Sequence, residues 1–170
     1  NLHDPALTED IASRLERWGA AADWLRLEIT ESAVMDDAQG ALRRLNGLAD
    51  MGLELAMDDF GTGYSSLSYL KRMPLTELKI DRSFVSNIMA DQKDALIVSS
   101  TVELGHSLGL RVVAEGVETQ DEWTGLQMLG CDVAQGFFLG RPMPPDGIVA
   151  WLEETGRDYL RVPSTEATRA

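Results

Sequence analysis

Five times along the chain, a short apolar run gives way to a stretch whose apolar residues recur at helical spacing. The runs are WLRLEIT (24–30), LELAMDD (53–59), ELKID (77–81), LRVVAEG (110–116) and DVAQGFFLG (132–140). The helical stretches that follow are DDAQGALRRLNGLADMG (36–52), SSLSYLKRM (65–73), KDALIVSSTVELGHSLG (93–109), TQDEWTGLQMLG (119–130) and PDGIVAWLEETGRDYL (145–160). A further helix, LTEDIASRLERWG (7–19), precedes the first run, with Thr8 as its expected N-cap, Gly19 as its stop, and Ile11, Leu15 and Trp18 on one face. Strand and helix in strict alternation require a parallel sheet, because parallel neighbours need a crossover between them. The fold class is therefore α/β, either doubly wound or a (β/α) barrel. A closed eight-stranded barrel takes about 250 residues, so five units in 170 are too few to close one.

Polar groups collect at one end of these runs. Glu28, Thr30 and Glu31 close or follow the first, and Asp58 and Asp59 close the second. Lys79 and Asp81 close the third, Glu115 and Glu118 close or follow the fourth, and Gln135 lies in the fifth. In parallel α/β folds the carboxyl ends of the strands are where active sites are built. Asp58 and Asp59 pose a specific problem, since successive strand side chains point to opposite faces. They serve one centre only if the strand breaks or bulges there, and Gly61 and Gly63 make a break cheap. Two like charges so close repel, and a cation between them removes the penalty. Oxygen ligands without His or Cys suit Mg²⁺ or Mn²⁺, and a pair of such ions suits in-line attack on a phosphodiester. Lys79 would then orient the attacking water or neutralise developing charge.

Composition narrows the alternatives. Asp and Glu number 28 against 15 Lys and Arg, a net charge of −13 that disfavours a groove for a nucleic-acid polymer. A single cysteine, Cys131, excludes an internal disulfide framework, fits a reducing compartment and is expected to be buried. His106 is expected to be a surface or helix-end charge partner, and the four tryptophans to be packing residues. No run is long enough to span a membrane. The Asp59-Phe60-Gly61 tripeptide lacks the glycine-rich and catalytic loops of a kinase, and GTGYSS lacks the lysine of a P-loop.

LRLEITES, MDDFGTGYSSLSYLKRMPLTELKIDRSFV, VVAEGVET and AQGFFLGRPMP, in that order, resemble the EAL domain family of cyclic di-GMP phosphodiesterases. The resemblance runs from about Leu7 to Leu160, and implies a partial EAL domain over 1–160 with 161–170 as a C-terminal tail. It implies a TIM-like barrel, here incomplete and made of the last five βα units. It also implies hydrolysis of cyclic di-GMP to linear pGpG with two Mg²⁺ or Mn²⁺ ions. Carried over, Glu28, Asp58, Asp59 and Glu115 match metal ligands, and Lys79, with Asp59 and Glu115, matches the catalytic group around the attacking water. Gln135 matches a residue hydrogen-bonded to the site. Glu118 matches the glutamate that steadies the loop after Asp59, in which Thr62 and Gly63 are supporting positions. Arg141 and Pro142 are expected to border the substrate mouth.

The Glu-Ala-Leu tripeptide and the Asn of the family's metal set do not occur in this sequence at family-like positions. The other carried-over site residues are all intact, so the resemblance implies an active parent domain, a cytoplasmic setting compatible with attached sensor or membrane modules, and a homodimer. The alternative is a degenerate EAL domain acting as a cyclic di-GMP receptor or interaction module without catalysis. A barrel short of three strands exposes strand edges, which invite pairing with another chain. The 170 residues on their own are thus expected to self-associate or to unfold at low temperature. Size-exclusion chromatography with thermal melts checks this, and a monomer that melts cooperatively at high temperature contradicts it.

Overall fold

The computed structural model describes residues 2, 4–35, 37–61 and 67–155. Within them, five parallel strands lie side by side in chain order: β1 (Arg26–Thr30), β2 (Glu54–Phe60), β3 (Glu77–Ile80), β4 (Arg111–Glu115) and β5 (Val133–Gln135). Helix α1 (Leu7–Trp18) precedes β1. Between the strands come α2 (Glu31–Met35) and α3 (Ala38–Asp50), then α4 (Leu67–Leu70), then α5 (Arg82–Val85) and α6 (Gln92–Ser107), then α7 (Gln120–Met128); α8 (Pro145–Thr155) follows β5. This is the expected α/β alternation, with five of the eight strands that a closed barrel has. β1 and β5 are the sheet's two edges.

Burial explains why the apolar runs are strands. Leu55, Ala56 and Met57 of β2 are buried in succession, as are all four residues of β3. A parallel strand covered on both faces needs such a run rather than an alternation. One cluster gathers Leu45, Leu48, Leu55, Met57 and Leu78 on the β1–β3 side. The other gathers Ile80, Val85, Val98, Val112 and Leu126 on the β3–β4 side. Cys131 belongs to the second, and burial pushes its thiol up to about 11, which makes it inert at neutral pH.

The amino ends of the strands are tied by charge. Buried Glu77 at the start of β3 accepts from Arg26 Nη1 of β1 at 3.1 Å and from Arg111 Nε and Nη2 of β4 at 2.9 and 2.7 Å. Arg26 Nε also donates to Glu54 of β2 at 2.9 Å. His106 Nε2 lies at hydrogen-bond distance, 2.9 Å, from Asp132 Oδ2, a surface partner near the helix end as expected.

Several local expectations are corrected. Thr8 is not an N-cap: α1 starts at Leu7, where Asp4 turns the chain by accepting from Ala6 N–H at 2.9 Å. The first strand starts at Arg26, because Ala22–Trp24 wind into a 3-10 turn. A short helix not expected from the sequence, α2, precedes the second expected helix, which starts at Ala38 with the Asp37 side chain capping it through Gly40 N–H at 3.0 Å. The fifth strand stops at Gln135, where the chain turns so that Phe138 N–H reaches Val117 O at 3.0 Å. Trp18 and Trp24 are not packed; they are 77% and 79% exposed, Trp18 under the Arg17 guanidinium at 5.8 Å. Trp123 does pack against the second cluster. The expected tail, 161–170, and residues 156–160 of the last helical stretch lie outside the described residues.

Helix α6 crosses close to β4 at Gly105, where a Cβ would meet Val112 Cγ2 at 2.3 Å. Val112 is fully buried and cannot swing away. Gly105→Ala should therefore cost about 1–3 kcal/mol by overpacking. A thermal or urea melt checks this, and an unchanged midpoint contradicts it.

Candidate functional site

The centre of the site is a break in β2. The ladder with β3 is regular at Ala56–Glu77 and Met57–Leu78, then jumps to Phe60–Ile80. Inside the jump Asp59 has φ 53°, the left-handed region that non-glycine residues rarely enter, and Gly61 follows at φ 96°. In a regular strand the side chains of Asp58 and Asp59 would diverge. Here oxygen atoms of Asp58, Asp59 and Glu115 all lie within 4.8 Å of one another. The expected bulge is present, and it brings two adjacent carboxylates to one centre.

Lys79, at the third position of β3, is 3% exposed. Its Nζ lies 2.6 Å from Glu115 Oε1, 2.7 Å from Glu28 Oε1 and 3.3 Å from Asp58 Oδ1. Burial alone would lower its pKa, but hydrogen bonds to Glu115 and Glu28 outweigh it and raise the pKa above the ordinary lysine range. Glu28 of β1, Asp58 of β2, Lys79 of β3 and Glu115 of β4 thus meet at one rim, at or toward the carboxyl ends of their strands. The Asp59 carboxyl is pushed above its usual range, first by desolvation and then by Asp58 and Asp81, with Lys79 opposing.

The donor set fits a hard divalent cation. Its atoms are carboxylate oxygens, and one of them, Asp58 Oδ1, is buried without a hydrogen bond and has Lys79 as its ion-pair partner. Asp58, Asp59 and Glu115 are close enough together to hold such an ion, and Glu28 joins them through Lys79.

Gln135 pairs in register with Glu115 and lines, with Arg82, Glu118 and Phe137, an adjoining cavity of about 240 Å³. Glu118 pairs with Arg82 of α5 at 2.9 Å. Arg141 lies over the ring of Phe137, a lining residue, at 4.8 Å, but neither Arg141 nor Pro142 lines the cavity itself. Thr62 and Gly63 lie outside the described residues. Asp81 turns away to cap α5 by accepting from Ser83 N–H at 3.0 Å. A second, apolar cavity of about 500 Å³ lies beside Glu28 between α1 and β1.

Sequence reasoning gave no role to Arg82 or Phe137, which line the cavity, because nothing in their spacing fixes which way a turn residue faces. It also gave none to Glu31, which is 4% exposed with neither carboxylate oxygen hydrogen-bonded, although Glu31 directly follows the expected strand.

Comparison with known proteins gives a consistent answer. The family described as EAL domain matches residues 1–142. The bifunctional diguanylate cyclase/cyclic di-GMP phosphodiesterase MucR of Pseudomonas aeruginosa is 49% identical over 144 residues, 85% of this chain and 21% of MucR. The solved PaMucR phosphodiesterase in complex with c-di-GMP superposes with TM-score 0.83 at 48% identity, covering 86% of this chain and 60% of that one. Klebsiella pneumoniae BlrP1 with manganese and cyclic di-GMP gives TM-score 0.76 at 38% identity, over 82% of this chain and 36% of that one. The cyclic di-GMP phosphodiesterase NbdA of P. aeruginosa is 43% identical over 159 residues, 94% of this chain and 20% of NbdA. The chain thus spans about a fifth of the length of these curated relatives.

The crowding of Asp59 has a measurable consequence. Its carboxyl titrates higher folded than unfolded, so its ionised form costs stability above that range. With metal chelated, Asp59→Asn should melt above wild type at neutral pH, and the gap should close as pH falls through the carboxylate range. Melts at stepped pH check this, and a variant that melts below wild type at neutral pH contradicts it.

Proposed function

The chain belongs to the EAL domain family, and on that premise we propose that it carries the metal-binding rim of a cyclic di-GMP phosphodiesterase. The observation that carries this reading is the meeting of Asp58, Asp59 and Glu115 within 4.8 Å, at a rim shared with Glu28 and Lys79. Relatives named as cyclic di-GMP phosphodiesterases, and neighbours solved with cyclic di-GMP and with manganese or calcium, support it.

The reaction is hydrolysis to linear pGpG. Water oxygen forms a new bond to one phosphorus, the P–O3′ bond of the ring breaks, and the 3′ oxygen leaves with a proton. Glu28, Asp58, Asp59 and Glu115 would hold two divalent ions, Mg²⁺ or Mn²⁺, whose chemistry would be to activate water and offset charge on the phosphoryl oxygens. Lys79 orients the attacking water and offsets developing negative charge. Gln135 supports the site from the next strand, and Glu118, Thr62 and Gly63 support the loop after Asp59. Arg141 borders the entrance to the substrate and Pro142 follows it. Residues 1–160 form part of the catalytic domain and 161–170 a tail; the family match reaches residue 142.

Full turnover belongs to the whole domain. The Glu of the Glu-Ala-Leu signature and the family's Asn ligand are not among these 170 residues. The 170 residues alone should have little or no turnover, since a loosely held centre loses its rate. The family resemblance also implies a homodimer. A cytoplasmic, reducing setting fits the single free, buried Cys131. No helix among the described residues is long and apolar enough to cross a membrane.

The test is product release by the full-length protein with cyclic di-GMP and Mg²⁺ or Mn²⁺. Linear pGpG should accumulate, a chelator should stop it, and Asp58→Asn should lower turnover by about 100-fold or more. Tight binding of cyclic di-GMP with no product would overturn the enzyme reading in favour of the receptor. No binding at all would overturn both.

A further inference from the structure

The site contains a cation of its own. Lys79 Nζ stands among Glu28, Asp58 and Glu115 at 2.7, 3.3 and 2.6 Å. Four carboxylates face this centre against one ammonium, so the cluster keeps a large negative excess with the lysine in place. Two lysine partners, Asp58 and Glu115, belong to the triad that fits a metal ion. Glu28 is absent from that triad and is tied to the others through the ammonium. A divalent ion and Lys79 therefore draw on the same two carboxylates, Asp58 and Glu115.

We propose that Lys79 is the resident counter-ion of this cluster, holding the carboxylates together when metal is absent and giving up Glu115 and Asp58 when a divalent ion binds. The lysine then sets metal affinity as well as serving the chemistry. It lowers affinity, because a fixed positive charge a few ångströms away repels an arriving 2+ ion and competes for its ligands. It also stabilises the empty site, because without it the carboxylates repel one another unrelieved. One side chain thus trades metal affinity against stability of the metal-free fold. This inference rests on the metal-centre reading above, but it does not require that the chain cleave anything.

Calorimetric titration of Mn²⁺ into the full-length protein and its Lys79→Met variant at pH 8, paired with melts in chelator and in Mn²⁺, tests it. The variant should bind Mn²⁺ at least about tenfold more tightly, melt lower in chelator and gain more from metal than wild type does. Equal or weaker Mn²⁺ binding by a folded variant overturns the proposal. A second measurement on wild type covers the case in which the variant does not fold. The ¹⁵Nζ resonance of Lys79, assigned by its loss in Lys79→Arg, should be protected from exchange in chelator and should lose that protection as Mg²⁺ saturates. A resonance unmoved through saturation overturns the proposal. If neither protein bound Mn²⁺ or Mg²⁺ at millimolar concentration, the metal-centre reading itself would fall. Absence of pGpG alongside tight Mn²⁺ binding would sink the phosphodiesterase reading and leave this one standing.

Discussion

The site depends on one irregularity of backbone. Between Met57 and Phe60 the second strand gains a residue relative to its neighbour, and Asp59 takes a positive φ to absorb it. A non-glycine residue held in that region costs of order 1–3 kcal/mol, which persists only where the surroundings enforce it. The surroundings here are buried β3 on one side and the regular ladder to β1 on the other, with Thr30 still in register with Asp58. The rigid sheet absorbs the strain, and the result is a pair of adjacent carboxylates aimed at one point. Without the break, the two side chains would diverge to opposite faces of the strand.

Electrostatics follows from that geometry. Carboxylates forced together in a partly dry rim need positive charge, and the sheet supplies one lysine from the adjacent strand. Lys79 lies nearly buried because three acidic partners surround its head group, which is the condition under which a buried ammonium stays charged. The opposite end of the sheet shows the reverse arrangement, with one buried carboxylate, Glu77, held between Arg26 and Arg111. The amino end is a closed charge balance that staples four strands. The carboxyl end is left negative, and that imbalance gives it chemistry.

Much of this was legible in the residues. The parallel sheet followed from the alternation, because strands buried on both faces read as unbroken apolar runs. The Asp58–Asp59 pair announced its own bulge, since no regular strand uses both. The helix from 119 was visible in its local spacing, and the structure opens it with a capping box at Thr119 and Glu122. What stayed hidden depends on cross-strand register or on what covers a face. The Glu77 staple needs residues 34 and 51 positions apart to be neighbours, which no local pattern states. The exposure of Trp18 and Trp24 was hidden likewise: their size argued for packing, while nothing in the helix spacing says which side another element covers. The early stop of the fifth strand also came from tertiary contact, because the turn is held by Val117 from the loop after β4.

The central claim is that these carboxylates share a divalent ion, and anomalous diffraction from crystals grown in Mn²⁺ tests it most directly. The account predicts a manganese peak within bonding distance of Asp58, Asp59 and Glu115, with Lys79 Nζ drawn back from Glu115. A fully ordered site with Lys79 still seated between Glu28 and Glu115, and no peak beside it, would contradict the account.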